Sequence, residues 1–245
     1  MAIIRGNGEA NLLKGTSIAD QIFGNDGHDS IYGYAGNDTL NGNDDDDRVY
    51  GGDGHDRIIG GKGEDRLYGQ NGDDLITDES GNDLLNGGAG DDTLRSGEGN
   101  DTLHGGSGHD QLIAAAGNDV MVAGSGNDTL NGGEGDDNMR GDAGNDRLIG
   151  LEGNDTLAGG IGNDVLTGGE GADRFVFNDG RDVITDFEPG DDQIDLRSFA
   201  QLDSWSDVMD AASQAGSSVR ITLNDDVLII RDFSLSQMDQ DDFLF

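Results

Sequence analysis

The stretch GGEGDDNMR at residues 132–140 decides the fold, because nearly the same nine residues recur before and after it. Read as positions one to nine, it has glycine at one, two and four, aspartate at six and an apolar residue at eight. Glycines this dense disfavour a helix and permit tight turns and close backbone approaches. Positions seven to nine alternate in polarity, which predicts a short strand with one side chain pointing inward.

The nine-residue pattern is a long internal repeat. Seventeen consecutive windows run from Gly24 to Val176, with aspartate at position six and an apolar residue at position eight in all of them. Position four is glycine in sixteen windows, and Asp45 is the exception. The phase extends outward to Gly6 and Thr185. Twenty turn-and-strand windows, two to a coil, predict a parallel β-solenoid of ten coils, a rod of roughly 45–50 Å.

Composition restricts what the chain can bind and how it can fold. It has 245 residues, 51 acids against 14 bases, a formal net charge of −37 and an apolar content of 33%. Such a chain buries too little to fold without a counter-charge, and it would repel nucleic acid and anionic membranes. There is no cysteine, which excludes disulfides and thiolate metal sites. No segment is apolar enough for a signal peptide or a membrane span.

Stacked turns place aspartate above aspartate, and such columns repel unless a cation lies between them. Carboxylates and turn carbonyls form an all-oxygen ligand set, which favours Ca²⁺ over Zn²⁺ or Cu²⁺, while Mg²⁺ demands a tighter octahedron. About 15 calcium ions, one to a turn, would add roughly +30 and nearly cancel the net charge. The predicted metal ligands are the position-six aspartates: Asp20, Asp29, Asp38, Asp47, Asp56, Asp65, Asp74, Asp83, Asp92, Asp101, Asp110, Asp119, Asp128, Asp137, Asp146, Asp155, Asp164, Asp173 and Asp182.

Several windows resemble the RTX, or hemolysin-type, calcium-binding nonapeptide: GGSGHDQLI (105–113), GSGNDTLNGG (124–133) and GGIGNDVLTGG (159–169). The resemblance implies a right-handed parallel β-roll whose position-six aspartates and turn carbonyls bind Ca²⁺. It also implies secretion through a type I ABC exporter and folding triggered by calcium outside the cell. The ending DDFLF (241–245) is similar to the uncleaved C-terminal signal that such exporters read.

Some windows depart from the repeat. DESGND (78–83) and AAAGND (114–119) lack their leading glycines, and Ser96 and Ala123 are milder cases. Asp45, in place of the fourth-position glycine, tolerates left-handed geometry better than most residues. We expect weaker or altered sites where the leading glycines are missing.

The C-terminal residues differ in composition from the repeats, and we expect an all-β roll at 1–185 followed by a small α+β cap at 186–245. Seven of the eight phenylalanines and the only tryptophan lie at or after residue 175. Residues 175–196 resemble the capping segment of RTX metalloproteases and of the R-modules of mannuronan epimerases. Residues 204–216 predict a helix with Ser204 or Ser206 as N-cap, and residues 218–233 predict a β-hairpin. The cap would close the end of the roll.

Three tyrosines, Tyr32, Tyr50 and Tyr68, recur at position nine with a spacing of eighteen residues, which stacks them on the outside of one sheet. Arg48 and Arg66 lie two residues before the last two. One hypothesis is a contact patch for a carbohydrate or a protein partner. The alternative is a cross-strand aromatic ladder that stabilises the N-terminal coils.

No catalytic motif stands out from the repeat. There is no nucleophile elbow, HExxH, P-loop or dinucleotide fingerprint, and His28, His55 and His109 occupy turn positions that predict solvated side chains. The leading interpretation is a secreted, non-catalytic β-roll that folds on binding several Ca²⁺ ions outside the cell. The alternatives are an accessory module that binds extracellular polysaccharide for a secreted enzyme, and an adhesin-type structural spacer.

Overall fold

The computed structural model describes residues 1–245, and most of the chain winds into a parallel β-solenoid, as the repeat predicts. The helical segments all follow residue 204: α1 (Trp205–Ala211) and two single turns of 3₁₀-helix at Leu235–Gln237 and Gln240–Asp242. The strands are β1 (Ile3–Arg5), β2 (Leu12–Lys14), β3 (Gln21–Asp26), β4 (Ser30–Ala35), β5 (Thr39–Asp44), β6 (Arg48–Asp53), β7 (Arg57–Lys62), β8 (Arg66–Asn71), β9 (Leu75–Thr77), β10 (Leu84–Ala89), β11 (Thr93–Arg95), β12 (Thr102–Ser107), β13 (Gln111–Ile113), β14 (Val120–Ser125), β15 (Thr129–Glu134), β16 (Asn138–Ala143), β17 (Arg147–Glu152), β18 (Thr156–Ile161), β19 (Val165–Glu170), β20 (Arg174–Val176), β21 (Arg181–Ile184), β22 (Gln193–Asp195), β23 (Ala212–Ala215), β24 (Ser218–Leu223), β25 (Asp226–Ile230) and β26 (Phe243–Leu244).

Two sheets face each other along the solenoid. Odd-numbered strands from β1 to β21 form one parallel array, and even-numbered strands from β2 to β22 form the other. Each residue pairs with the one eighteen positions later, as Ile22 does with Leu40 and Leu40 with Ile58. The roll therefore has eleven coils, one more than predicted, because Ile3–Arg5 and Gln193–Asp195 add a strand at either end of the twenty windows.

The regular strands are twice as long as the three residues predicted. A typical strand, such as Thr39–Asp44, runs from position seven of one window through position three of the next. Position two carries a positive φ, 77° at Asn25 and 82° at Asn43, which bends the strand midway while the register with its neighbours continues. The first half of the glycine-rich segment is therefore paired backbone rather than free turn.

The core between the sheets consists of two facing rows of apolar side chains from position eight, one row from each sheet, fully buried from Ile22 onward, as predicted. These residues belong to a single cluster that continues into the C-terminal segment through Phe175, Phe177 and Phe233. One inward side chain per nine residues makes a thin core, since full burial of one aliphatic side chain contributes only about 1.5–3 kcal/mol.

The C-terminal segment extends both sheets. Strand β25 pairs in parallel with β21, and β26 pairs in parallel with β22. The predicted hairpin at 218–233 is confirmed as β24 and β25, which are antiparallel. A third antiparallel strand, β23, borders β24 at the far edge.

The helix predicted at 204–216 is shorter than expected. Ser204 is its N-cap, as predicted, and accepts a hydrogen bond from the backbone N–H of Asp207, but α1 ends at Ala211. The next residues are extended because the side-chain amide of Gln214 donates to the carbonyls of Ser218 and Phe233, at 3.0 and 3.2 Å, which ties this segment to the hairpin. None of the helices is long and apolar enough to traverse a bilayer.

Candidate metal centre

Two columns of aspartates line the two turn edges of the roll. The backbone N–H of each position-six aspartate donates to Oδ1 of the aspartate eighteen residues later, as Asp119 does to Asp137 and Asp137 to Asp155, both at 2.8 Å. The repeat predicts that these side chains are in register. The structure adds that one carboxylate oxygen of each, Oδ1, accepts a backbone hydrogen bond from the preceding coil.

The other carboxylate oxygen of these aspartates, Oδ2, is buried but makes no hydrogen bond in almost every coil. In eighteen of the nineteen predicted ligands Oδ2 is buried and has no hydrogen-bond partner, and the aspartates themselves are 0–3% exposed. Burying one ionised carboxylate without a partner costs several kcal/mol, and a native fold does not repeat that cost eighteen times without compensation. A column of hard, anionic oxygen atoms is the chemistry that calcium requires, so these residues fit the ion.

The position-one glycine makes room for these oxygens. A Cβ added at Gly132 would collide with Oδ2 of Asp137 and would lie 3.0 Å from the carbonyl oxygen of Gly150 in the next coil. The φ angle of Gly132 is not in the left-handed region, so this glycine is required for space. Each such turn brings a carboxylate oxygen and a backbone carbonyl oxygen to the same place, which is the mixed oxygen set expected from the sequence.

The pKa values of the column follow from burial. Loss of hydration raises the pKa of Asp47, Asp74 and Asp137 to about 7, with a smaller contribution from neighbouring carboxylates. Without a cation, much of the column is therefore held near the boundary between its protonated and ionised forms at neutral pH.

Asp20 differs from the other predicted ligands. Its Oδ2 accepts hydrogen bonds from the backbone N–H and the hydroxyl of Thr16, both at 2.7 Å. The backbone N–H of Ala2 donates to its other oxygen, and this contact lowers the pKa of Asp20. Asp20 is therefore satisfied by the protein itself, as befits a residue in the first coil.

One column member escaped the sequence analysis. Asp192 follows the insertion of one residue after Thr185, yet its Oδ1 accepts from the backbone N–H of Asp173 at 2.9 Å, as in the rest of the column. Its Oδ2 accepts the backbone N–H of Glu188 at 2.8 Å, so both of its oxygens are satisfied by the protein. It is 4% exposed, and burial raises its pKa to about 6. The signal was present as an aspartate nineteen, instead of eighteen, residues after Asp173.

The irregular windows differ from the others in backbone pairing on one side of the roll. Asp78, Ser96 and Ala114 replace the position-one glycine in three consecutive turns, and strands β9, β11 and β13, which precede them, each have only three residues. Ala123, on the other sheet, does not interrupt β14. On this side the ladder is interrupted at positions one and two and resumes as single parallel bridges at position three, such as Ser80 with Glu98.

A second ladder lies outside the aspartate columns, at position five. The backbone N–H of Asn154 donates to Oδ1 of Asp136, and that of Asp136 to Oδ1 of Asn118, at 2.7 and 3.0 Å. Histidines join this ladder: Nδ1 of His55 and of His109 accept backbone N–H bonds at 2.9 and 2.8 Å. These side chains are exposed, but they also hydrogen-bond to the backbone of the next coil, so the histidines are not simply solvated as predicted. The recurrence of Asn, Asp and His at position five could have predicted this ladder.

The three tyrosines form a stack on the outside of the even-numbered sheet. The ring centroids of Tyr32 and Tyr50, and of Tyr50 and Tyr68, are 4.9 Å apart with interplanar angles of 10° and 6°. Because the rings cover one another's faces, the strip presents ring edges to solvent. A sugar ring stacks on an open aromatic face, so the geometry favours the stabilising ladder over the carbohydrate patch.

Comparison with known families identifies the repeat. The profile of the RTX calcium-binding nonapeptide repeat, which spans four copies, matches six segments, of which the first three overlap, and together they cover almost all of residues 5–184. The chain belongs to the RTX calcium-binding repeat family. The calcium-binding β-roll inferred from the register of the aspartates is the fold and ligand class of this family, and the resemblance drawn from the sequence is confirmed.

Among solved structures, the RTX chain is similar to the extracellular lipase of Serratia marcescens, with 21% identity and a TM-score of 0.42. The match covers 82% of this chain and 40% of the lipase, so the chain spans about two fifths of that enzyme's length. A comparison with curated proteins found no match.

Proposed function

We propose that this protein is a secreted β-roll that folds on binding about 15 Ca²⁺ ions outside the cell and that has no catalytic centre of its own. The observation that carries the proposal is the set of eighteen buried Oδ2 atoms without hydrogen-bond partners, repeated once per turn along both edges of the roll. A structural role explains why these groups recur identically in every coil, whereas a catalytic group is needed at one place only.

The proposed ligands are the position-six aspartates other than Asp20, together with the carbonyl oxygens of the position-one residues; Asp192 is left out because, as in Asp20, its Oδ2 already accepts a backbone N–H. Bound calcium supplies positive charge between turns that would otherwise repel one another. The chain's own contribution is to hold each carboxylate through Oδ1, leaving Oδ2 free, and to keep glycine where a Cβ would fill the space.

The proposed dependence of folding on calcium follows from a small hydrophobic core that must overcome a large negative charge. One buried side chain per window is a thin core, and a net charge of −37 opposes compaction. Sites of extracellular modules bind calcium at about 10⁻⁴–10⁻³ M. The chain would therefore remain expanded at the low free calcium of a cytosol and would fold at the millimolar calcium outside.

The proposed C-terminal export signal is compatible with this order of events. Within DDFLF, Phe243 is 4% exposed and packs against Trp205, and the carboxylate of Asp242 accepts the backbone N–H of Gly190. Residues packed in this way are not available to an exporter, so a type I ABC exporter would have to read them before the chain folds. Low cytosolic calcium keeps them accessible.

Two experiments test the proposal. Native mass spectrometry of the roll in millimolar calcium should count about 15 bound ions, and a count of one or two would overturn the multi-site account. Removal of residues 241–245 should abolish secretion from cells that carry a type I exporter, while Glu9→Ala, an exposed position at the other end of the roll, should leave it unchanged. Secretion that persists without residues 241–245 would contradict the assigned signal.

A further inference from the structure

One turn of the roll brings three carboxylates together instead of two. Asp78 stands at position one of its window, where thirteen of the seventeen core windows have glycine. One carboxylate oxygen from each of Asp65, Asp78 and Asp83 lies within 4.8 Å of the others. Among all acidic, histidine and cysteine side chains of the chain, only these three form such a group.

The position of Asp78 is fixed by the backbone. Its Oδ1 accepts hydrogen bonds from the N–H groups of Gly61 and Glu79, at 3.0 and 2.7 Å. Its Oδ2 is buried and has no hydrogen-bond partner. A side chain held by one oxygen, with the other directed inward, repeats the arrangement of the column aspartates from a different place in the turn.

The other two carboxylates are held in the same manner. Asp65 and Asp83 are 1% and 3% exposed, and Oδ2 of each is also without a partner. Oδ1 of Asp83 accepts the backbone N–H of Asp65 at 2.8 Å. Three unpartnered, inward-directed oxygens therefore converge, and each belongs to a side chain that cannot turn away without losing a backbone hydrogen bond.

Comparison with the regular turns shows what Asp78 replaces. At Gly42, Gly51 and Gly69 the nearest atoms to an added Cβ are the carboxylate of the same turn and the carbonyl oxygen of the position-one glycine in the next coil. At Gly60 the nearest atoms are Oδ2 of Asp78 and Oδ2 of Asp65. An anionic oxygen thus lies where the regular turns offer a neutral carbonyl.

An oxygen donor also occurs one coil further along the same edge. Ser96 occupies position one of that coil, is 6% exposed, and its hydroxyl oxygen has no hydrogen-bond partner. The irregular windows are therefore not simply degraded repeats, because two successive positions that lost glycine gained a buried side-chain oxygen.

We propose that Asp65, Asp78 and Asp83 form a three-carboxylate cation site that binds hard cations more tightly than every other turn of the roll and discriminates in favour of higher charge. The inference rests on the proposed calcium-binding function and deepens it. Ligand charge is one of the two factors that set the affinity of oxygen sites, and an added carboxylate accounts for about a hundredfold, the step between extracellular modules and intracellular sensors. The sequence predicted a weaker or altered site here, and the geometry points to a stronger one.

Terbium is a suitable probe, because it is a trivalent hard cation close to calcium in its oxygen chemistry, and three carboxylates balance its charge. The full chain is first folded in excess calcium and then titrated with Tb³⁺ while terbium luminescence is recorded. Working on the loaded roll separates site affinity from folding. We expect one equivalent to bind about a hundredfold more tightly than the following ones.

Two variants remove the third carboxylate in different ways. Asp78→Gly restores the residue of the regular turns, and Asp78→Asn keeps the shape of the side chain but removes its charge. Both should lose the tight equivalent and keep the weaker uptake. Asp137→Asn is the matched control, since it removes one carboxylate from a regular turn on the same edge of the roll, and it should retain the tight equivalent.

The outcomes separate this proposal from the one on which it rests. If circular dichroism shows no calcium-induced folding in the wild-type chain, the proposed function fails and this inference with it. If all four proteins fold with calcium but Asp78→Gly and Asp78→Asn titrate like the wild type, only the three-carboxylate site is refuted. Loss of the tight equivalent in Asp137→Asn would also refute it.

Discussion

Replacing Asp137 by asparagine should change stability in opposite directions with and without calcium. In the wild-type chain burial raises the pKa of this carboxyl from 3.8 to about 7. A rise of that size means that keeping this carboxyl ionised destabilises the calcium-free roll by about 4 kcal/mol. Because the group is partly screened by solvent, we take the destabilisation as about 2 kcal/mol. The introduced amide keeps an oxygen that accepts the backbone N–H of Asp119. Its nitrogen takes the place of Oδ2 beside Gly132, where the carbonyl oxygen of Gly150 is available as an acceptor.

With calcium the balance reverses, because the variant lacks one charged ligand. A site that binds at calcium 10 to 100 times its Kd contributes about 1–3 kcal/mol to the free energy of unfolding. Asp137→Asn should therefore be about 2 kcal/mol more stable than the wild type in chelator and about 1–3 kcal/mol less stable in 10 mM calcium.

Circular dichroism provides both measurements. Titration of the calcium-free chain with trimethylamine N-oxide, which favours compact states, gives the first difference, and urea unfolding in calcium gives the second. Asp136→Asn is the control, since it removes the same charge from the exposed ladder one residue away. A variant that destabilises the roll by the same amount under both conditions would refute the reasoning, because it would show that the buried carboxylate acts through packing and not through its charge.

Four further predictions follow from the core, the turns, the tyrosine stack and the titration of the columns. Leu130→Ala should lower the free energy of unfolding in calcium by about 2–5 kcal/mol, because the side chain is fully buried; a loss below about 1 kcal/mol in urea denaturation would contradict the role of the position-eight side chains as the core. Gly150→Ala places a methyl group against Oδ2 of Asp155, so calorimetry should show at least one fewer bound calcium; an unchanged count would refute the space argument. Tyr50→Ala should cost about 1–3 kcal/mol through two ring contacts while leaving calcium uptake unchanged, and loss of calcium ions instead would contradict the ladder. In the calcium-free chain the raised pKa values mean that protonation stabilises the roll: this contribution is complete below pH of about 4 and lost as the pH rises through about 7, so far-UV circular dichroism in chelator should show more β-structure at pH 4.5 than at pH 8, and a pH-independent spectrum would contradict it.

Most of the fold could be predicted from the repeat, because a strict nine-residue period gives every coil the same arrangement of residues. Gly132, Asp137 and Met139 each have counterparts eighteen residues away, so a single register places a spacer, a ligand and a core residue throughout the roll. The strand boundaries were less predictable, since glycine and asparagine at positions one and two suggest turns, whereas pairing with neighbouring coils holds them in the sheet.

The irregular parts required the structure. Asp192 was displaced by one inserted residue, and only its hydrogen bond to Asp173 reveals its place in the column. Residues 212–215 have helix-compatible side chains, but Gln214 and the adjacent strand hold them extended. The role of Asp78 depends on where its carboxylate points, which a missing glycine alone does not indicate.

The most direct test of the account is small-angle X-ray scattering of the full chain during removal and return of calcium, with magnesium as the control ion. The account predicts an expanded chain in chelator, a rod of about 50 Å for eleven coils once calcium reaches the millimolar range, and no comparable change with magnesium. The same rod persisting after exhaustive chelation at neutral pH would contradict the claim that calcium joins the stacked turns.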